Sequence, residues 1–267
     1  SRVSRTLYRA ILKEIRVLGS TQPIYLHDPL NPSLWGHGRF VQKSQIDTLL
    51  SLLPQSVAEL IAGWNMTKTA EHAPVWEESA AGFSALQLQR VARAVFKHRK
   101  VAKGEEEAGA WDEDAFAALR VTADQHARQL SSSDAVTLGV RVRALSTYLP
   151  EESRSRGTNL FCYRISVANE GTEPVRLLAR QWDILDATGN LATSVPRGSP
   201  GVVGHTPELL PGQCFEYYSG VDIPTPEGRM SGSFQMVTLA GGPGGGVKAR
   251  FDAVVAPFAL RGPTSSA

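Results

Sequence analysis

Side chains able to do chemistry are few and scattered in this sequence. The six histidines (His27, His37, His72, His98, His126 and His205) show no His-x-x-x-His spacing, and the two cysteines, Cys162 and Cys214, stand far apart. Neither set supplies the clustered ligands a metal site needs. No Gly-x-Ser-x-Gly elbow or Gly-Lys-Ser/Thr phosphate loop is present. Asp183 and Asp186 lie in an alternating stretch and read as strand-end polar residues, not an acid–base pair. Glu77-Glu78 and Glu105 to Glu107 read as solvated loops, and Trp35, Trp64, Trp76, Trp111 and Trp182 as separate core or contact residues. Nothing assembles a nucleophile, a base and an oxyanion site, so no enzyme is expected.

Two features remain. The first is Gly198-Ser199-Pro200-Gly201-Val202-Val203-Gly204. Gly198, Gly201 and Gly204 could free backbone amides for a phosphate, but Pro200 has no amide to give. Such loops also normally lean on a helix N-terminus, and the surroundings read as strand. The favoured reading is a shaped strand connection; a phosphate- or nucleotide-ligand sensor or enzyme is the rival.

The second feature is a pair of basic stripes. Arg2, Arg5, Arg9, Lys13 and Arg16 recur every three or four residues, opposite Leu7, Ile11, Ile15 and Leu18. Arg90, Arg93, Lys97 and Lys100 repeat the pattern beside Leu88, Val91 and Val95. The net charge of +2 is too small for the whole-chain field to draw in nucleic acid. Aromatic residues do not interleave with the cations, so RNA contact is expected only inside a ribonucleoprotein.

These stripes demand helices. The spacing predicts one over about Arg2 to Leu18, stopped at Gly19, and one from Ser84 to Lys103. A third runs from near Asp112 to Leu130, with acids at its favourable end and Phe116, Leu119 and Ala123 as its core face. Residues 20–40, rich in Pro, Gly and His, read as an irregular loop, and residues 62–83 as another. Gln45 to Ala62 forms a helix broken at Pro54. Long loops of this kind suit a subunit draped over partners.

Ser131-Ser132-Ser133 reads as a linker, and beyond it the period becomes two. Val140 to Ala144, Phe161 to Val167, Val175 to Leu185, Cys214 to Ser219, Arg229 to Val237 and Val247 to Val255 are strand candidates. Gly171, Gly189, Pro211-Gly212 and Gly228 punctuate them, and Gly241 to Gly246 makes a hairpin loop. That pattern is a β-sandwich or barrel. Phe161, Tyr163, Phe215 and Tyr217 should face inward, turning both cysteines outward as reduced thiols in a reducing compartment. No apolar run approaches the roughly 20 residues a membrane helix requires. The chain opens on Ser1, and Arg2, Arg5 and Arg9 fit a presequence remnant as well as a first helix.

One ordered series in the second half names a family. Arg180-Gln181-Trp182, Gly201-Val202-Val203-Gly204 before Pro207, and Pro211-Gly212 leading into Phe215-Glu216-Tyr217-Tyr218-Ser219-Gly220 come first. Thr225 to Met230 and Gly232-Ser233-Phe234-Gln235-Met236 follow. From Val136 to Leu260 this resembles the ApaG domain, which implies an immunoglobulin- or fibronectin-like sandwich acting as a protein-binding module. The family's Gly-x-Gly-x-x-Gly stretch, suggested as a pyrophosphate site, is departed from here by one extra residue and by Pro200.

The first half is similar to the LYR-motif family. Leu7-Tyr8-Arg9 opens a basic helix, Arg90 to Lys97 carries Arg93 and Phe96, and a third helix follows. The resemblance implies an antiparallel three-helix bundle that docks the mitochondrial acyl carrier protein. The carrier's acidic helix would meet the cations, and its 4′-phosphopantetheine acyl chain would enter the core; no cofactor of the chain's own is implied. Tyr8, Arg9, Arg93 and Phe96 take the motif roles, with Arg5, Lys13, Arg90 and Lys97 assigned by position. The connection from Gly19 to Ser84 is far longer than the family's.

The expectation is an α+β chain in two domains: a helical LYR-like bundle over 1–132 with an insertion at about 20–83, an ApaG-like sandwich over 135–262, and a tail from 263. Functionally it is a mitochondrial adaptor, in the matrix or on the matrix side of the inner membrane. The carrier docks on one domain, and subunits of a respiratory complex or mitochondrial ribosome dock on the other.

Overall fold

A computed structural model describes residues 2–20, 23–42, 44–66, 82–99, 105–242 and 244–263. His72, Trp76, Glu77, Glu78 and Lys100 lie outside them. The chain forms two compact units, residues 1–28 with 43–129, and residues 29–42 with 130–267.

The first unit is helical. Its α1 (Arg2–Leu18) buries Leu7, Ile11, Leu12, Ile15 and Leu18 and leaves its cations outside. Ser44 and Asp47 cap α2 (Gln45–Leu52) reciprocally, side chain to amide at 3.1 Å each way. Pro54 then separates it from α3 (Gln55–Met66). Ser84 and Gln87 cap α4 (Ala85–Arg99) in the same reciprocal manner. The last helix, α5, is Glu105–Gln129.

Two contacts fix the direction of each neighbour. Gly19 sits against Ala85 and Tyr8 against Phe96, so α1 and α4 are antiparallel. The Ser4 hydroxyl donates to Asp112 at 2.6 Å, and the Gln129 amide donates to the Leu18 carbonyl at 3.3 Å, so α1 and α5 are parallel. Helices α1, α4 and α5 thus run up, down and up.

Three readings are corrected here. Glu105 to Glu107 are not loop acids but the opening of α5, which starts well before Asp112. Its inner face is Trp111, Ala115, Ala118, Thr122 and Gln125, and the expected Leu119 also packs on the core, while Phe116 is 54% exposed and Ala123 is exposed. Alanine lets helices approach closely, and the Gln125 side chain is satisfied by the backbone of His27 on both sides, at 2.7 and 2.9 Å. Hydrophobicity alone therefore places Leu119 correctly and Phe116 wrongly. The stretch read as an insertion belongs to the core: Ile46, Leu49, Val57 and Ile61 of α2 and α3 are buried there, as are Ile24 and Leu26 of the first long loop, while most of the second loop, residues 67–81, lies outside the described residues.

The second unit is a sandwich of two antiparallel sheets. One has the order β1-β8-β4-β3-β2 and the other β10-β9-β5-β6, with β7 on β5. The strands are β1 (Gly38–Val41), β2 (Ser132–Thr137), β3 (Val140–Tyr148), β4 (Asn159–Asn169) and β5 (Val175–Asp186). The remainder are β6 (Leu191–Pro200), β7 (Glu208–Leu209), β8 (Cys214–Ile223), β9 (Glu227–Leu239) and β10 (Val247–Arg261), with α6 (Pro150–Arg156) between β3 and β4. Period-two patterning puts Phe161, Ile165, Phe215 and Tyr217 of one sheet against Trp182, Phe234, Met236 and Phe258 of the other. Trp182 and Phe234 meet edge to face at 5.6 Å.

Of the three serines read as a linker, Ser132 and Ser133 belong to β2, which pairs with β3 from Ser132, and the Ser133 hydroxyl donates to the Ala256 carbonyl at 2.7 Å. Residues 29–42, read as loop, join this unit: Gly38–Val41 hydrogen-bonds along β8 and satisfies an edge that would otherwise be open.

Candidate functional site

In the helical unit the two aromatic residues assigned motif roles come together. Tyr8 and Phe96 are both half-buried, with ring centroids 4.8 Å apart. Phe96 also meets Trp111 edge to face at 4.9 Å. Trp111 had no expected role in a site; its place one turn before Ala115 on the core stripe was the available signal.

Phe96 and Trp111 line a cavity of about 90 Å³ among α1 to α5, with Ile11, Val57, Ile61 and Val95. Its walls are almost wholly apolar, so ordered water gains few hydrogen bonds there. All four motif and positional cations of α1 and α4 nearest the rings are exposed: Arg5 and Arg9, and Arg93 and Lys97. Arg5 stands one turn before Tyr8, and Arg93 one turn before Phe96, so each ring shares a helix face with an arginine. Lys13 and Arg90 are exposed farther along the same helices. The arrangement is an apolar chamber with aromatic residues at its wall and cations outside it.

The glycine loop is committed to the fold. Gly198, Gly201 and Gly204 have positive φ, as does Val203 at 43°. The Gly201 amide donates to the Leu178 carbonyl at 2.8 Å, and Val202 and His205 exchange amide–carbonyl bonds at 2.8 Å each. The Gly198 amide donates to the Gln235 side chain at 3.2 Å. From the next sheet position Arg180 donates to the carbonyls of Pro200 and Gly201, at 2.8 and 2.6 Å. A phosphate would have to displace these partners. Calorimetry with ATP, diadenosine polyphosphate or pyrophosphate should therefore show nothing tighter than about millimolar, near −4 kcal/mol. Micromolar binding lost on Gly201→Ala would overturn this.

The remaining groups are structural. Cys162 faces away from the sandwich core as alternation requires, but it is fully buried in a second cluster with Leu30, Leu34, Leu149 and Tyr218, because residues 29–34 and α6 cover that side of β4. Burial, aided by Glu152, pushes its thiol up to about 11; burial, then Glu216, pushes the half-buried Cys214 up to about 11 as well. The Thr188 hydroxyl, with the amides of residues 188 to 190, holds the Asp186 carboxyl below its usual range, as a turn cap. Among the described residues no three His, Cys, Asp or Glu side chains cluster as metal ligands, and no helix is long and apolar enough to cross a membrane.

Glu216 is a site the sequence did not announce. It is buried on the outer side of β8, with the buried Arg164 at 3.6 Å and Arg39 at 3.3 Å.

A family model described as the ApaG domain matches residues 150–238. Protein ApaG of Anaeromyxobacter dehalogenans (strain 2CP-1) is 43% identical over 133 residues, which is 50% of this chain and 98% of the relative. Protein ApaG of Rhodopseudomonas palustris (strain TIE-1) is 42% identical over 130 residues, 48% of this chain and 92% of its own. A crystal structure from Bordetella pertussis, described as an ApaA protein, is 35% identical, covers 47% of this chain and 95% of its own, and superposes with a TM-score of 0.41.

Proposed function

The chain belongs to the ApaG family through its β-rich half, and on that premise we propose a non-enzymatic adaptor of two parts. The helical unit docks an acyl carrier protein, and the ApaG unit docks subunits of a larger mitochondrial assembly. The observation that carries the first part is the Tyr8–Phe96 contact at 4.8 Å, beside an apolar cavity and within one turn of exposed arginines.

A carrier bearing an acyl group on phosphopantetheine offers matching chemistry: acidic side chains for the cations and a hydrocarbon for the cavity. A cavity of about 90 Å³ is smaller than the roughly 150 Å³ that admits benzene in an engineered core. The chain must therefore widen it, and the soft wall is the half-buried ring of Phe96, which rests on Tyr8. Two free cysteines also suit a reducing matrix. The glycine-loop sensor is disfavoured by the hydrogen bonds its amides already make.

Exposed ion pairs contribute about 0.2–1 kcal/mol each, more where arginine is held in a bidentate pair. Arg9→Glu with Arg93→Glu replaces two attractions by two repulsions, so carrier affinity should fall about tenfold or more, at least 1.4 kcal/mol. Both residues are exposed, so helical circular dichroism should not change. Binding of the parent protein should also weaken with salt, since the Debye length is about 8–10 Å near physiological ionic strength. Unchanged carrier recovery by the double variant would end this reading.

A further inference from the structure

Residues 29–42 bind the edge of the ApaG sheet in the way a peptide ligand does. The backbone of Gly38–Val41 pairs antiparallel with Cys214–Tyr217. Upstream, the Gly36 amide donates to the Tyr218 carbonyl at 2.9 Å, and the Tyr218 amide donates to the His37 carbonyl at 3.1 Å. Side chains then add selectivity. A Cβ on Gly220 would lie 1.8 Å from the Trp35 ring, and its three nearest atoms would all be Trp35 atoms. The missing side chain is the notch in which the indole rests. Leu34 packs beside it on Leu160 and Tyr218. Arg39, its own side chain 58% exposed, reaches the buried carboxylate of Glu216.

Backbone pairing for affinity and alternate side chains in pockets for choice are the marks of strand addition. The segment is also extra to the domain. The relative from Anaeromyxobacter dehalogenans is matched over 98% of its length in 133 residues, too few to span both residues 150–238 and residue 42, so it has no length left for such a strand.

We infer that the β8 edge is a peptide-docking slot, selective for an extended segment with an aromatic residue for the Gly220 notch and a basic residue for Glu216, and that this chain fills it in cis with Pro29–Gln42. The slot is distinct from the helical site, and its failure would leave the carrier reading standing.

The test uses the full chain with residues 29–42 replaced by a Gly/Ser linker of equal length, and a fluorescent peptide of Pro29–Gln42 as probe. The peptide should bind this chain at least tenfold more tightly than the parent chain, whose slot is full. A peptide carrying Trp35→Ala, or one carrying Arg39→Glu, should bind at least tenfold more weakly. Equal binding to both chains, or indifference to the Trp35→Ala change, would overturn the inference. If the linker chain does not fold, Gly220→Val in the otherwise native chain decides the matter. Gly220 has no positive φ, so valine suits its strand and only Trp35 is evicted. Amide exchange at residues 36–41 should then rise at least tenfold, with Phe161 to Val167 still protected. Protection of residues 36–41 as in the parent chain would refute the slot.

Discussion

Trp182→Ala should destabilise the ApaG unit by about 3–5 kcal/mol, the range for truncating a large buried aromatic. Trp182 is 1% exposed, touches Phe234 edge to face and Tyr163 at 6.3 Å, and faces Gly232 across the β5–β9 ladder. No other residue fits opposite it: a Cβ at Gly232 would lie 2.0 Å from the Gln181 carbonyl oxygen and 2.8 Å from the indole. With domain stabilities of about 5–15 kcal/mol, the loss takes about a fifth or more of the total. The β-type ellipticity and near-ultraviolet signal should melt roughly 10–20 °C lower. A shift under a few degrees would mean that this indole is not the keystone its burial suggests. The variant also divides the adaptor's roles. Immunoprecipitation of Trp182→Ala should still recover acyl carrier protein and lose the other subunits. Loss of both, with the helical signal intact, would contradict the assignment of the carrier to the helices.

The sandwich was legible because its signals are local. Alternation survives burial on one face, and the Arg180-Gln181-Trp182 and Pro211-Gly212 stretches mark a strand and a turn whose neighbours in sequence are neighbours in the fold. β6 escaped notice because it is largely exposed, with only Ala192 and Val195 packed on the core, and it carries Pro196 and Gly198, so nothing imposes a clear period. β1 escaped for a different reason: its partner β8 lies far along the chain, and four residues with an exposed pattern have no identity apart from that edge. The inner face of α5 was misjudged because close packing selects alanine, which a hydrophobicity count ranks below Phe116. In the helical site, Tyr8 and Phe96 could be named from a motif, but Trp111 and the cavity depend on α2 and α3, which looked like an insertion.

That dependence gives the sharpest test of the carrier reading. Ala118 is half-buried on α5 and lines the cavity, so Ala118→Leu directs three more carbons into it. At about 0.8 kcal/mol per buried carbon the gain is up to about 2 kcal/mol, less the strain of imperfect fit. The helical unit should be unchanged or about 1 kcal/mol more stable. Function should move the other way. If the acyl chain occupies the cavity, the parent protein prefers acylated over bare carrier by about tenfold, or 1.4 kcal/mol, and Ala118→Leu should bring that ratio near one. Affinity for bare carrier, which rests on the cations, should hold. Arg9→Glu with Arg93→Glu should do the reverse, lowering both affinities and leaving their ratio alone. Ala92→Leu, which fills the same cavity from α4, guards against a local misfit at residue 118. An acyl preference that survives both fillings would mean the chain binds elsewhere, and the cavity is only an imperfection of the core.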